Sequence, residues 1–193
     1  MSAFSHRNLC CMDAELASAL TTYAARWPQE AATVALFHML LGDAENPFLR
    51  ERLAGHFTAS CWLVSADGAR VLLTHHRKLG LWLQLGGHAD GQRDLSAAAL
   101  REAEEESGLT GLRVEPAIFD LDRHRIPMHK AVPEHWHYDV RFIVCAGTDE
   151  AYTISEESLD LAWRNIAELA VDADADPSVR RMAGKWLARQ AEA

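Results

Sequence analysis

The stretch Leu85-Gly86-Gly87-His88-Ala89-Asp90-Gly91-Gln92-Arg93-Asp94, running on through Leu95 to Leu100 into Arg101-Glu102-Ala103-Glu104-Glu105-Glu106-Ser107-Gly108-Leu109, decides how the chain is read. Asp94 is a helix cap and Gly108 a stop, so the spacing predicts a helix over 95–107. At about 100° per residue, Glu102, Glu105 and Glu106 fall within roughly 100° of one another. Three carboxylates so close repel, and they stay ionised comfortably near neutral pH only with positive charge among them. Such hard oxygen ligands suit Mg²⁺ or Mn²⁺. Ala99, Leu100 and Ala103 lie opposite and let the helix approach a sheet. Arg101 stands four residues before Glu105 and can pair with it. On its own the acidic stripe would be a solvated face. The glycine pair upstream gives it weight, because backbone there can come close to a metal or phosphate.

Outward from this helix, strand signals dominate. Phe57 to Ser65 reads as a strand, Asp67-Gly68 as a turn, and Arg70 to His75 as a strand pairing back in a hairpin. A short strand around Trp82 to Leu85 leads into Gly86-Gly87, read as the start of a loop. Strands recur at Arg113 to Leu121, His137 to Ala146 and Leu161 to Arg164, the last followed by a helical turn. Asp176-Pro177 opens a closing helix whose Val179, Met182, Ala183, Trp186 and Leu187 share one face. Before His56 the pattern is helical over 12–55. Leu16, Leu20, Tyr23 and Trp27 form one face, Pro28 interrupts, and Asn46-Pro47 offers a cap and first-turn proline with Gly55 as the stop. The expected fold is an α/β sandwich with a mixed sheet: a helical extension over 1–55 and a main domain over 56–193. The extension would pack on the main domain or on a second subunit, making a homodimer.

Composition narrows the function. The chain has 193 residues, 49% of them hydrophobic and 24% charged, which excludes gross disorder. Its net charge of −9 makes it a poor partner for nucleic acid polymers or anionic membranes. It can still handle phosphates where a metal neutralises them. Cys10, Cys11, Cys61 and Cys145 form no Cys-x-x-Cys, so reduced thiols and a cytoplasmic location are expected. Met1 to Arg7 lacks an apolar core of signal-peptide length, and the run Val34 to Leu41 is too short to span a bilayer.

The glycine–carboxylate segment resembles the Nudix hydrolase motif: Gly, five residues, Glu, seven residues, then Arg-Glu-apolar-x-Glu-Glu-x-Gly-apolar. Eight of the nine defined positions fit, from Gly87 to Leu109, and chance agreement over the chain is about 10⁻⁵. The flanking elements extend the likeness over about residues 57–170. The resemblance implies a Nudix-type α/β/α sandwich and a MutT-like enzyme. It would use Mg²⁺, or Mn²⁺, to cleave the pyrophosphate of a nucleoside diphosphate linked to another moiety. Glu102, Glu105 and Glu106, with the Gly87 carbonyl, would hold the metal, and Arg101 would orient the glutamates. The general base would be Glu102 or a later-loop residue, Glu156 or Glu157. Arg93 departs from the pattern, standing where the family has its first glutamate. Asp90 and Asp94 are near enough to supply an accessory carboxylate instead. The departure also admits a second reading, a non-catalytic nucleotide sensor. A third, an isoprenyl diphosphate isomerase, lacks its cysteine near the motif, since Cys61 is the nearest.

Substrate contacts are sought on two further segments. In Thr74 to Trp82, Arg77 or Lys78 could meet a phosphate and Trp82 could stack on a base; the alternative is an exposed basic turn and a core tryptophan. His88, in the motif loop, and Asp90 could reach the metal site. In Glu134 to Phe142, alternation sets His135, His137, Asp139 and Arg141 on one face, with His124 and His129 just before. Zinc ligation by His135, His137 and Asp139, contact with substrate, and a polar face without special role compete there. The adjacent in-strand spacing and the lack of cysteine partners favour substrate contact over zinc.

Overall fold

The computed structural model describes residues 3–77, 79–129, 132–154 and 158–192. Seven strands among them form one sheet: β1 His56–Val64, β2 Arg70–His76, β3 Trp82–Leu83, β4 Leu85–His88, β5 Arg113–Ile126, β6 His135–Cys145 and β7 Ser158–Asn165. The helices are α1 Ala3–Arg26, α2 Ala31–Leu41, α3 Leu95–Ser107, α4 Ile166–Val171 and α5 Pro177–Glu192. The main path runs β3-β2-β1-β6-β5, with β4 also on β1 and β7 also on β2. Only β1 and β6 are parallel, from His56 opposite His137 to Val64 opposite Cys145; every other pairing is antiparallel, so the sheet is mixed.

Both faces of β1 are buried along its whole length. Phe57, Ala59, Cys61 and Leu63 pack with α1, α2 and α3 through Leu16, Leu20, Phe37, Ala98, Ala99 and Ala103. Trp62 and Val64 pack on the opposite face with α4 and α5 through Ile166, Leu169, Val179, Met182 and Trp186. Helices therefore cover the sheet on both sides, as expected of the α/β/α sandwich, and the closing helix buries its expected residues except Leu187, which is exposed. The N-terminal helices share the core of the sheet they cover. No helix among the described residues is long and apolar enough to cross a membrane.

Two local expectations are corrected, and a third holds over a short register. The helical pattern over 12–55 ends at Leu41, and residues 43–55 form successive turns. The Asn46 side chain accepts from Phe48 N at 3.1 Å, closing an Asx turn, and Phe48 is buried beside Phe57. Phe57 N donates to Pro47 O and Gly91 N to Phe48 O, so this segment's backbone bonds go to the sheet and the motif loop instead of to a helix. Second, Gly86 and Gly87 lie in strand β4, opposite Ser60 and Ala59. Third, the β1–β2 hairpin is brief, with Val64 opposite Val71 as its register pair. β2 pairs mainly with β7, and β4 takes the rest of that edge of β1.

Candidate active site

Helix α3 is capped as its sequence implies. The Asp94 side chain accepts from Ala97 N at 3.0 Å, and Gly108 closes the helix at φ +68°. Ala98, Ala99 and Ala103 are fully buried, so the helix packs closely on β1 and β4. That fixes the height of the carboxylates over the β4 backbone.

The three glutamates then part company. Gly86 N donates to Glu106 Oε1 at 2.8 Å. A Cβ on Gly87 would collide with the Glu102 carboxylate, and one on Gly86 would lie 2.6 Å from Ser60 Cα. Gly86 is thus required against the neighbouring strand's backbone, and at Gly87 any side chain would have to displace the Glu102 carboxylate. Glu102 is nearly buried, with 15% of its side chain exposed, whereas Glu105 has 62% exposed. Arg101 Nη1 lies 2.9 Å from Glu102 Oε1 and 3.4 Å from Glu105 Oε2, and Nη2 donates to the His88 carbonyl at 3.3 Å. One guanidinium therefore holds two carboxylates to the motif strand. The donor set of carboxylate oxygens against a side-chain-free backbone fits a hard divalent ion such as Mg²⁺ or Mn²⁺.

The remaining expected site residues fall into separate places. Asp94 uses its carboxylate on the α3 cap. Asp90, at φ +48°, pairs with Arg50, which holds its carboxyl below the usual range. Arg93 pairs with Asp13 of α1 and lies over the Phe48 ring, 4.9 Å from its centroid. The residue that departs from the motif thus fastens the N-terminal helix and the 43–55 segment to the motif loop. Trp82 stacks on His75 at 5.1 Å and lies under Arg164, while Arg77 is exposed in the following turn. Lys78, Glu156 and Glu157 lie outside the described residues. Cys61 is fully buried, and burial, reinforced by Glu106 and Glu102, pushes its thiol well up, so it is no nucleophile.

The polar face of β6 is brought beside β1 and β4. Asp139 is buried and engaged on both oxygens, by Thr58 at 3.0 Å, Ser60 at 2.8 and 2.9 Å, and Arg141 at 2.7 Å. His88 and His137 lie with their ring centroids 5.1 Å apart. Burial first, then Arg50 and His56, pull His88 down to about 4; burial, then His88 and His56, pull His137 down to about 2. Both rings are neutral at pH 7. His56 belongs to the same group and is missed by sequence reasoning. Its only signal is the polar alternation His56, Thr58, Ser60 at the start of β1.

Comparison with known proteins agrees with this geometry. The NUDIX domain model matches residues 55–185, more than half of the chain. No curated protein matches. Among solved structures, a NUDIX-family hydrolase from Clostridium perfringens is similar at 25% identity and TM-score 0.53, covering 70% of this chain and 97% of its own. An Ap4A hydrolase from C. elegans shares the fold at 18% identity and TM-score 0.54, covering 71% of this chain and 98% of its own. The E. coli dihydroneopterin triphosphate pyrophosphohydrolase does so at 18% and 0.53, over 69% of this chain and 95% of its own. With the motif segment folded as helix against glycine strand inside a matched domain, the chain belongs to the Nudix hydrolase family and is a pyrophosphohydrolase of the Nudix type.

Proposed function

We propose that the protein is a divalent-metal-dependent hydrolase of a nucleoside diphosphate linked to another moiety, with Glu102 as the general base. The observation that carries this reading is the fold of the Glu102 and Glu106 carboxylates onto the Gly86-Gly87 backbone. Mg²⁺ or Mn²⁺, held by Glu102, Glu105, Glu106 and the Gly87 carbonyl, would neutralise phosphate oxygens and acidify a bound water. The protein's own part is orientation and proton transfer. Arg101 pins Glu102 by an ion pair and is itself pinned by the His88 carbonyl. Glu102, nearly buried and oriented, takes the proton from the attacking water. Trp82 would stack on a base, and Arg77, exposed in the turn after β2, would meet a phosphate. Asp139, locked by Thr58, Ser60 and Arg141, sets the polar floor from which His88 and His137 face substrate.

The sensor reading drew its support from Arg93. With that residue engaged by Asp13 and Phe48, its departure from the motif has a structural reason. The test is a panel of nucleotide sugars, dinucleoside polyphosphates, nucleoside triphosphates and coenzymes, with products identified, in Mg²⁺, in Mn²⁺ and in excess chelator. Cleavage at a pyrophosphate is expected only with metal present. Full activity in chelator, or no cleavage of any member, overturns the reading.

A further inference from the structure

The sheet face turned away from α3 carries a second constellation that takes no part in the proton transfer at Glu102 or in the carboxylate metal site. His56, His88 and His137 come from three paired strands. In the register, His56 lies opposite His137 and His88 opposite Thr58. Among the described residues these three alone, one nitrogen from each, place their ligand atoms within 4.8 Å of one another. We propose that His56, His88 and His137 form a second metal site, of three-histidine type, for a zinc-class divalent ion.

Four observations support it. The first is spacing: a tetrahedral Zn²⁺ with bonds of about 2.05 Å sets its ligand nitrogens about 3.3 Å apart, so small ring movements close the set. The second is an orphan. His56 is 1% exposed, and its Nε2 is buried with no hydrogen-bond partner. Its Nδ1 lies 3.2 Å from the Arg52 carbonyl oxygen. A carbonyl can only accept, so Nδ1 carries the proton and Nε2 presents a lone pair, the arrangement seen in metal-binding histidines oriented by a carbonyl. A histidine that merely filled the core would have both nitrogens satisfied. The third is the surroundings. His135 holds Pro133 O through Nδ1 at 2.9 Å and sets its Nε2 3.3 Å from Nε2 of His137, while the His124 ring lies 5.5 Å from that of His137. The fourth is rigidity, because all three ligands sit on strands and not on loops.

The donor chemistry separates this site from the carboxylates. Imidazole suits Zn²⁺ and its neighbours, whereas carboxylate and carbonyl oxygens suit Mg²⁺ and Mn²⁺. Gly87 faces Glu102 and the next residue, His88, faces the imidazoles, so one strand carries a hard site and a softer one on opposite sides.

The test uses the full chain, stripped with chelator, and the metal itself. Zn²⁺ is titrated against a chromophoric competitor, and Co²⁺ is added separately to look for the visible absorption of a tetrahedral nitrogen-ligated ion. One equivalent should bind to the parent, to exposed-histidine control His129→Gln and to the double variant Glu102→Gln/Glu106→Gln. Affinity should fall at least ~100-fold in His56→Asn and in His137→Gln, each with circular dichroism and melting in chelator to report its fold. The Co²⁺ spectrum is read on the parent and needs no variant. Three results overturn the site: no tetrahedral Co²⁺ band in the parent, undiminished Zn²⁺ affinity in folded histidine variants, or loss of Zn²⁺ in the glutamate double variant alone. None of these readings depends on hydrolysis, so failure here and failure of the pyrophosphatase reading remain distinguishable.

Discussion

The α3 side and the α5 side of the sheet solve different problems with the same strands. Toward α3 the interior is dry: alanines on the helix meet Ala59, Cys61 and Leu85, and charge is confined to the rim where Glu102 and Glu106 meet β4. Toward α5 the interior contains a charge network. Asp120, fully buried, receives Arg141 at 3.2 Å, Arg181 at 2.7 and 3.0 Å and Lys185 at 2.7 Å. Lys185 also reaches Tyr23 at 2.6 Å and Glu30 at 2.7 Å, and Arg141 continues to Asp139 at 2.7 Å. Close apolar packing positions the rim carboxylates on one side. On the other, paired charges position the polar floor under the histidines. The carboxylates proposed to hold metal meet the strand at a rim, whereas Asp120 is surrounded by its partners.

The sharpest way to break this contrast is Asp120→Ala. Removing one partner from a buried network strands its cations, at a cost of about 3–5 kcal/mol. Denaturant unfolding should show that loss, and a change under 1 kcal/mol would mean that the network relaxes into solvent. Next come Glu102→Gln and Glu106→Gln. Each should lower turnover at least ~100-fold, about 2.7 kcal/mol in the barrier, with melting close to the parent. Steady-state rates alongside thermal melts decide it, and near-normal turnover in both would make α3 a solvated acidic helix. Gly87→Ala sharpens the comparison, because its new methyl meets a carboxylate that can swing away. Turnover should fall ~10-fold through that displacement while stability shifts by no more than about 1 kcal/mol. A large stability loss without a rate effect would show that the glycine serves packing alone.

Two smaller effects probe the borders of the two sides. Arg93→Ala frees α1 from the motif loop, removing an ion pair and a cation–π contact worth together about 1–2 kcal/mol. Amide exchange in α1 should accelerate, and unchanged exchange would deny the tie. Asp122 gives the pH arm. Burial acts to raise its pKa, but His124, Arg141 and Arg181 outweigh it and hold the carboxyl well below the ordinary range. Its stabilisation is therefore complete above the unfolded value of about 3.9 and is lost as pH falls toward the depressed folded value. Asp122→Asn should lower stability at pH 7 and flatten its acid fall below pH 4. Parallel acid-unfolding curves for parent and variant would refute this.

Much of the α3 side was legible in the sequence because its chemistry is local. Cap, alanines, carboxylates and stop occupy one continuous run, and helix periodicity converts their order directly into geometry. The α5 side was legible only in pieces. The alternation in β6 marks His135, His137, Asp139 and Arg141 as one face, but nothing local says that β6 lies parallel to β1. Without that pairing His56 stays an isolated histidine 81 positions before His137. The same limit hid Arg93's role, since Asp13 is 80 residues away. The helix expected after Asn46-Pro47 failed for a nearer reason: an asparagine that caps helices also closes turns, and buried Phe48 decides between them. Gly86-Gly87 read as loop because glycines carry no strand signal, yet it is the absence of side chains that lets this strand meet the carboxylates.

The Lys185 network also constrains the order in which the molecule can be completed. Lys185 joins Tyr23 across 162 residues and Asp120 across 65. During synthesis, α1 and the strands emerge long before α5, so among the described residues Asp120 has Arg141 as its cation until α5 leaves the ribosome. Contacts so distant in sequence form late and close slowly. A nascent chain halted before Arg181 should therefore remain open along β5, exposing a carboxylate that the finished protein hides completely.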